Sequence, residues 1–266
     1  MDAYTIAENV LSRLKTPPHR LLEIGAGGGS FLRRMVEKYH AVGVGVDPYV
    51  TEQQMENLAL RRLPAEGIAS LRQWFDLVFS VRAFHHFSDP VRCLKAMPSV
   101  IGWGGRCLLV DWVAGARTGY AERYYSLEQA CDLITKAGLL ILTKDRSGDI
   151  FWVTATLPFW KIGVAVNEGE KIIFPGMLGQ APKFAVYSFA ADKGIELLEI
   201  RHNPYEKTLQ PQKTFEVYKL IHDCQAVLSA RIGKRGIPRL RDLGVKLFLP
   251  GVWFRNSSKT LFSVDK

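Results

Sequence analysis

Nowhere in this 266-residue chain does an apolar run reach the roughly 18 residues that a membrane-spanning helix needs. The best candidate, SVIGWGGRCLLVDWV, is interrupted by Arg106 and Asp111. Cysteine is scarce. Cys93, Cys107, Cys131 and Cys224 contain no C-x-x-C pair, which argues against a self-contained zinc or iron–sulfur motif and for reduced thiols. The opening stretch MDAYTIAENVLSRLK is amphipathic and carries acids, unlike a signal or transit peptide, so a cytoplasmic location and no membrane partner are expected. Internal repeats and low-complexity tracts are absent as well.

What is present is the composition of a globular protein, 47% apolar and 23% charged, with length enough for two domains. The formal charge of +9 is uneven. Residues 1–157 hold 18 Lys+Arg and 16 Asp+Glu, a net of +2, and the remainder holds 17 and 10, a net of +7. The basic excess belongs to the C-terminal part and hints at an anionic partner there; an ordinary solvated basic face is the plainer alternative.

Apolar spacing predicts a helix over 4–15, ended by Pro17-Pro18. Strands and helices then alternate: RLLEIGA, a helix from Ser30 to about Tyr39, AVGVGVD, a helix near 51–59, FDLVFSV, a helix near 89–97, and RCLLVDWV. The helix SLEQACDLITKAG precedes two strand-like runs, LLILTKD and IFWVTATL. Such alternation predicts a parallel α/β sheet, closed here by an antiparallel hairpin because the final pair lacks a crossover helix. After TLPFWK the order changes. Strands KIGVAVNEG, FAVYSF and IELLEIRH come first, then the helix TFEVYKLIHD, the strand AVLSARI, a short helix PRLRDLGV and VKLFL. Two α/β domains are therefore expected, over 1–157 and 160–266.

The stretch LLEIGAGGGSFL places Glu23, Gly25, Gly27 and Gly29 as E-x-G-x-G-x-G where a strand meets a helix. Glycine lets the backbone turn tightly and a ligand lie against main chain, and the helix start beyond it exposes unpaired N–H groups. The strict alternation differs from the G-x-G-x-x-G of dinucleotide sites. Asp47 ends the next strand, about 20 residues on, where an acid can take both hydroxyls of a ribose. A turn begun by Asp47-Pro48 is the bland alternative.

With FDLVFSVRAFHHFSDPVRCL, the GG-x-C-L-L-V-D strand and the terminal hairpin, the first part resembles the class I S-adenosylmethionine-dependent methyltransferases of the small-molecule "type 11" branch. The resemblance implies a seven-stranded Rossmann-like domain. Glu23, Gly25, Ala26, Gly27 and Gly29 would hold the methionine end of the cofactor, with Asp47 on the ribose. Ala65 and Glu66 would sit near adenine and Ser80 near the amino group. Pro64 stands where relatives often carry an acid for adenine.

His85 and His86 follow the fourth main strand, where one could serve as general base, or where the pair could cap a helix. Asp111 beside Trp112 is a further catalytic candidate. Arg123, Tyr124 and Tyr125 could roof a substrate cavity or form ordinary surface. After the fourth strand the chain reads S-V-R-A-F where methylases of exocyclic base amines resemble [DNS]-P-P-[YFW], and it holds no Pro-Cys pair. A small-molecule or protein acceptor is therefore expected, with nucleic acid disfavoured.

The second part, with LGQAPKFAVYSF and IGKRGIPRLRDLGVKLFL, resembles the dinitrogenase iron–molybdenum cofactor biosynthesis family of NifX and the NifB C-terminus. That resemblance implies an RNase H-like α/β fold and an anionic iron–sulfur-type cluster as partner. Met177 stands where relatives commonly have His, leaving His202, His222 and Cys224 as candidate ligands. The expected function is methyl transfer to a small molecule, connected with metallocofactor assembly. The rival is a non-catalytic cluster carrier with a cofactor-sensing domain.

Overall fold

The computed structural model describes residues 2–119, 122–170, 172–190, 193–208 and 213–250. The chain parts after Pro158 into two compact units. Residues 251–266, included in the expected second domain, lie outside the described residues.

In the first unit, α1 (Ala3–Leu11) starts where the Asp2 carboxylate accepts the N–H groups of Tyr4 and Thr5. It buries Ala3, Ile6, Ala7 and Leu11, a helical stripe. Strands β1 (Arg20–Ile24), β2 (Val42–Asp47), β3 (Gln53–Gln54), β4 (Leu58–Arg62), β5 (Phe75–Val81), β6 (Ile101–Trp112), β7 (Leu140–Ser147) and β8 (Ile150–Thr156) form one sheet in the order β3-β4-β2-β1-β5-β6-β8-β7. The middle five run parallel, β8 is antiparallel to β6, and β7 to β8. Helices α2 (Ser30–Tyr39), α3 (Pro90–Ala96) and α4 (Leu127–Lys136) complete the unit. β1 is a nearly continuous buried run, as a strand covered on both faces must be. α2 lays Phe31, Leu32, Met35 and Val36 into that core.

Two expectations need correction. The segment 51–59 is not a helix: Gln53 and Gln54 pair antiparallel with Leu60 and Ala59, and the Met55 N–H closes the turn on the Leu58 carbonyl at 2.8 Å. Met55 is the one apolar side chain between Thr51 and Asn57, so the segment has no stripe to bury, whereas LAL of β4 packs into the core beside β2. The sheet consequently has eight strands where seven were expected, the extra one being this two-residue β3.

The second unit contains β9 (Trp160–Val166), β10 (Lys183–Ala190), β11 (Gly194–His202), α5 (Lys213–Leu220), β12 (Ala226–Leu228), α6 (Gly236–Asp242) and β13 (Lys246–Phe248). Its sheet order is β11-β10-β9-β12-β13. The first three strands form an antiparallel meander, and β12 and β13 run parallel to β9.

Candidate functional site

In the first unit, β1 leads on to β2 and β4 on one side, while β5 and β6 lie on the other. The β1/β5 boundary is thus the switch point where ligands of open α/β sheets bind, at the strands' carboxyl ends. The loop after β1 is pinned underneath: the N–H groups of Gly25 and Ala26 donate to the Val46 carbonyl at 2.8 and 3.1 Å. The glycines divide the work. A Cβ on Gly25, whose φ is +75°, would lie 2.2 Å from the Ala83 Cβ, so this glycine admits the segment after β5. Gly29 likewise makes room for Leu60. Gly27 and Gly28 face open space, and the bare cradle for a ligand is there.

Asp47 turns toward that cradle. Its carboxylate accepts the Gly27 N–H at 3.0 Å and the Tyr49 N–H at 2.9 Å, which leaves lone pairs on both oxygens for a diol. Glu23 is buried beneath the loop. Desolvation pushes its carboxyl up to about 8, the Leu32 N–H in the first turn of α2 offsets only part of this, and Oε2 has no partner. Ser80, near the end of β5, also buries a hydroxyl without a partner. An open main-chain cradle, a held carboxylate and orphaned buried polar atoms fit S-adenosylmethionine, whose amino, carboxylate and ribose groups need such partners. Ala65 is buried at the start of the short helix Ala65–Leu71, and the neighbouring Glu66 carboxylate accepts the Asp89 N–H at 2.7 Å. Glu66 therefore spends one oxygen tying two loops together.

The chain leaves β5 through Arg82, whose φ of 58° is rare for a long side chain. Its N–H donates to the Val110 carbonyl and its guanidinium lies over the Tyr4 and Trp112 rings. This bend carries Ala83 against Gly25 and delivers His85 to the end of β6. There Asp111, 1% exposed, accepts the His85 N–H at 2.9 Å and sits 2.8 and 3.0 Å from His85 Nδ1. It also accepts the Trp112 N–H at 2.7 Å. The carboxylate fixes the ring and leaves Nε2 on the side away from β6, where it has another partner. His85 and Asp111, proposed separately from the sequence, thus form one dyad, and His86 stands beside it with ring centroids 4.0 Å apart.

Sequence reasoning missed Glu122. Its carboxylate lies 3.3 Å from His85 Nε2 and 3.9 Å from His86 Nε2. Tyr124 donates its hydroxyl to Glu122 at 2.7 Å, which with the two His rings holds that carboxyl below its ordinary range. Thr118 bonds the same hydroxyl at 2.8 Å. The signal available was E-R-Y-Y itself, since Tyr124 and Tyr125 were already marked as a roof.

The candidates in the second unit are not brought together. Among the described residues, His202, His222 and Cys224 form no cluster that could grip a metal. His202 pairs across the sheet with Lys183, and His222 Nδ1 is 2.8 Å from the Lys219 carbonyl. Cys224 is buried, and desolvation pushes its thiol up to about 12, away from the thiolate a metal requires. Met177 is exposed, in a bridge to Arg231. Burial likewise leaves Cys107 inert, its thiol pushed up to about 12.

Comparison with known proteins finds relatives for both parts of the chain. The family described as "Methyltransferase domain" matches residues 2–140 of the 266, and "Dinitrogenase iron-molybdenum cofactor" matches 161–252. An uncharacterised methyltransferase, YcgJ, of Bacillus subtilis is 31% identical over 106 residues, covering 36% of this chain and 42% of its own. A tRNA U34 carboxymethyltransferase of Trichodesmium erythraeum is 28% identical over 102 residues, covering 34% and 31%. The chain thus spans less than half the length of these relatives. Among solved structures, a methyltransferase in complex with the Trm112 activator of Haloferax volcanii aligns with a TM-score of 0.50 at 14% identity, over 59% of this chain and 90% of that one, which supports the fold. The chain belongs to the methyltransferase-domain family and continues into a stretch that matches the dinitrogenase iron–molybdenum cofactor family.

Proposed function

We propose that this chain is an S-adenosylmethionine-dependent methyltransferase acting on a small molecule. The observation that carries the reading is the pair formed by the open Gly27–Gly28 main chain and the Asp47 carboxylate bonded to it. Asp47 would take the ribose hydroxyls, Gly25–Gly29 and Glu23 the methionine end, Ala65 and Glu66 the adenine, and Ser80 the amino group. When bound, the sulfonium supplies an electrophilic methyl group. The protein's part is to align the acceptor and to exclude water. His85 provides the activating group for the acceptor: Asp111 holds one ring nitrogen and presents the Nε2 lone pair.

The match of the second unit to a cofactor-assembly family supports an acceptor in metallocofactor chemistry, and its net +7 suits an anionic partner. RNA is the competing acceptor, because curated relatives are named tRNA carboxymethyltransferases. Label from methyl-tritiated S-adenosylmethionine, followed into fractions of a cell extract, distinguishes them. Label in the low-molecular-mass fraction is expected; label in RNA transfers the reading to the rival. Calorimetry that finds no binding of S-adenosylmethionine or S-adenosylhomocysteine removes both.

A further inference from the structure

The His85–His86–Glu122 cluster is built more fully than a proton acceptor requires. Among the described residues it is a group whose ligand atoms, one per residue, all lie within 4.8 Å of each other. A first-row divalent ion binds imidazole nitrogen and carboxylate oxygen at about 2.0–2.2 Å, so ligands in a tetrahedral array stand roughly 3.3–3.5 Å apart. Glu122 turns one oxygen to each ring, Oε2 at 3.3 Å from His85 Nε2 and Oε1 at 3.9 Å from His86 Nε2, and closing the three ligand atoms from their 4.8 Å span to that spacing is a movement within reach of the exposed His86 and Glu122 side chains.

The outer groups suit the same purpose. Asp111 occupies Nδ1 of His85 from a buried position, the carboxylate–histidine arrangement that orients a metal-binding imidazole. Tyr124, backed by Thr118, steers the Glu122 carboxylate. The His85 side chain is 4% exposed, whereas His86 and Glu122 are 58% and 32% exposed, so the cluster has a rigid inner ligand and an open outer side.

We propose that His85 Nε2, His86 Nε2 and the Glu122 carboxylate bind one divalent transition-metal ion, of which zinc is the best match to a two-histidine, one-carboxylate set. Three protein ligands leave a fourth position open, as in catalytic sites. Under the methyltransferase reading, on which this last step alone rests, an acceptor hydroxyl or amine enters that position. With Nε2 held by the ion, the proton leaves to solvent water; the electron pair left on the heteroatom forms the new bond to the methyl carbon as the carbon–sulfur bond breaks, its pair returning to sulfur and neutral S-adenosylhomocysteine departing.

The test uses the full chain and Co²⁺, whose absorption near 500–650 nm reports tetrahedral nitrogen and oxygen ligation. One saturable Co²⁺ per chain, displaced by Zn²⁺, is expected. His86→Ala and Glu122→Gln should each weaken binding by at least tenfold, the loss of one ligand, while His222→Ala leaves it unchanged. The two altered side chains in the cluster are solvent-exposed, so their variants keep the fold, which far-UV circular dichroism checks. Absence of a saturable site, or one indifferent to both substitutions, overturns the proposal. S-adenosylhomocysteine affinity measured on the same samples reports separately on the methyltransferase reading, and it should stay within threefold throughout.

Discussion

At the scale of single residues, the four glycines of residues 25–29 are not equivalent, and substitution separates packing from binding. Gly25→Ala puts a Cβ 2.2 Å from that of Ala83 at a φ of +75°. The combination of overpacking and left-handed backbone costs about 2–4 kcal/mol, and the melting temperature should fall by roughly 5–10 °C. Gly28 has open space and no positive φ. Gly28→Ala should leave the melting temperature within about 2 °C, a surface change of ±0.5 kcal/mol, yet weaken S-adenosylhomocysteine by about tenfold because the methyl group sits in the cradle. If both variants lose stability alike, the cradle has been misplaced. Glu23 supplies a second residue-scale expectation. Burial pushes its carboxyl from an ordinary value of 4.5 up to about 8, so the folded state holds a proton that the unfolded state has released between those values. The unfolding free energy should therefore decline as pH rises from about 4.5 toward 8 and level off above it. Glu23→Gln should flatten that slope in urea titrations, and a wild-type slope of the opposite sign would contradict the buried, partnerless carboxyl.

At the scale of elements, the second unit is fastened where β11, β9 and the α5–β12 connection meet. Arg201 donates to both oxygens of Asp223 and to the Leu220 carbonyl, and Lys161 donates to Asp223 at 2.8 Å. Burial pushes Asp223 upward, but the two cations outweigh it and hold the carboxyl well below the usual range. Its contribution is thus present above about pH 4, the ordinary carboxylate value, and fades as the pH falls below it. Asp223→Asn should destabilise the protein by about 1–3 kcal/mol at pH 7 by leaving the half-buried Arg201 with only the exposed Glu199 as counter-charge, and by much less near pH 2. Denaturant midpoints at the two pH values check this; equal losses would mean that the amide disrupts packing and not charge. None of that network could be read from the chain, because its partners are 19 to 62 positions apart. Local signals fared better. β1, α2 and β2 were legible from runs and stripes that each element carries within itself, and so was the terminal hairpin. The segment 51–59 was misread because alternation of strands and helices was extended across a stretch with no apolar face to support a helix. The candidate catalytic residues followed the same rule. His85 and Asp111 stood out singly at strand ends, but their pairing depends on the left-handed Arg82, and Glu122 on the path of a loop that no periodicity describes.

Across the whole molecule, one sheet's switch point and one cluster at its rim account for the proposed chemistry, and both belong to residues before Pro158. Ligand linkage should therefore have a definite address. A ligand that binds only the folded form stabilises it by about 2.7 kcal/mol at a hundredfold excess over its dissociation constant. Exchange of amide hydrogens shows where that stabilisation is felt. With S-adenosylhomocysteine present, peptides covering residues 25–29, 47–49 and 80–86 should slow, because their N–H groups line the cradle or support the groups that do. Peptides of β9, β10 and β12 should exchange at their unliganded rates. Slowing confined to the second unit would move the cofactor site off the glycine loop altogether. Slowing in both would mean that cofactor binding is energetically coupled to the second unit.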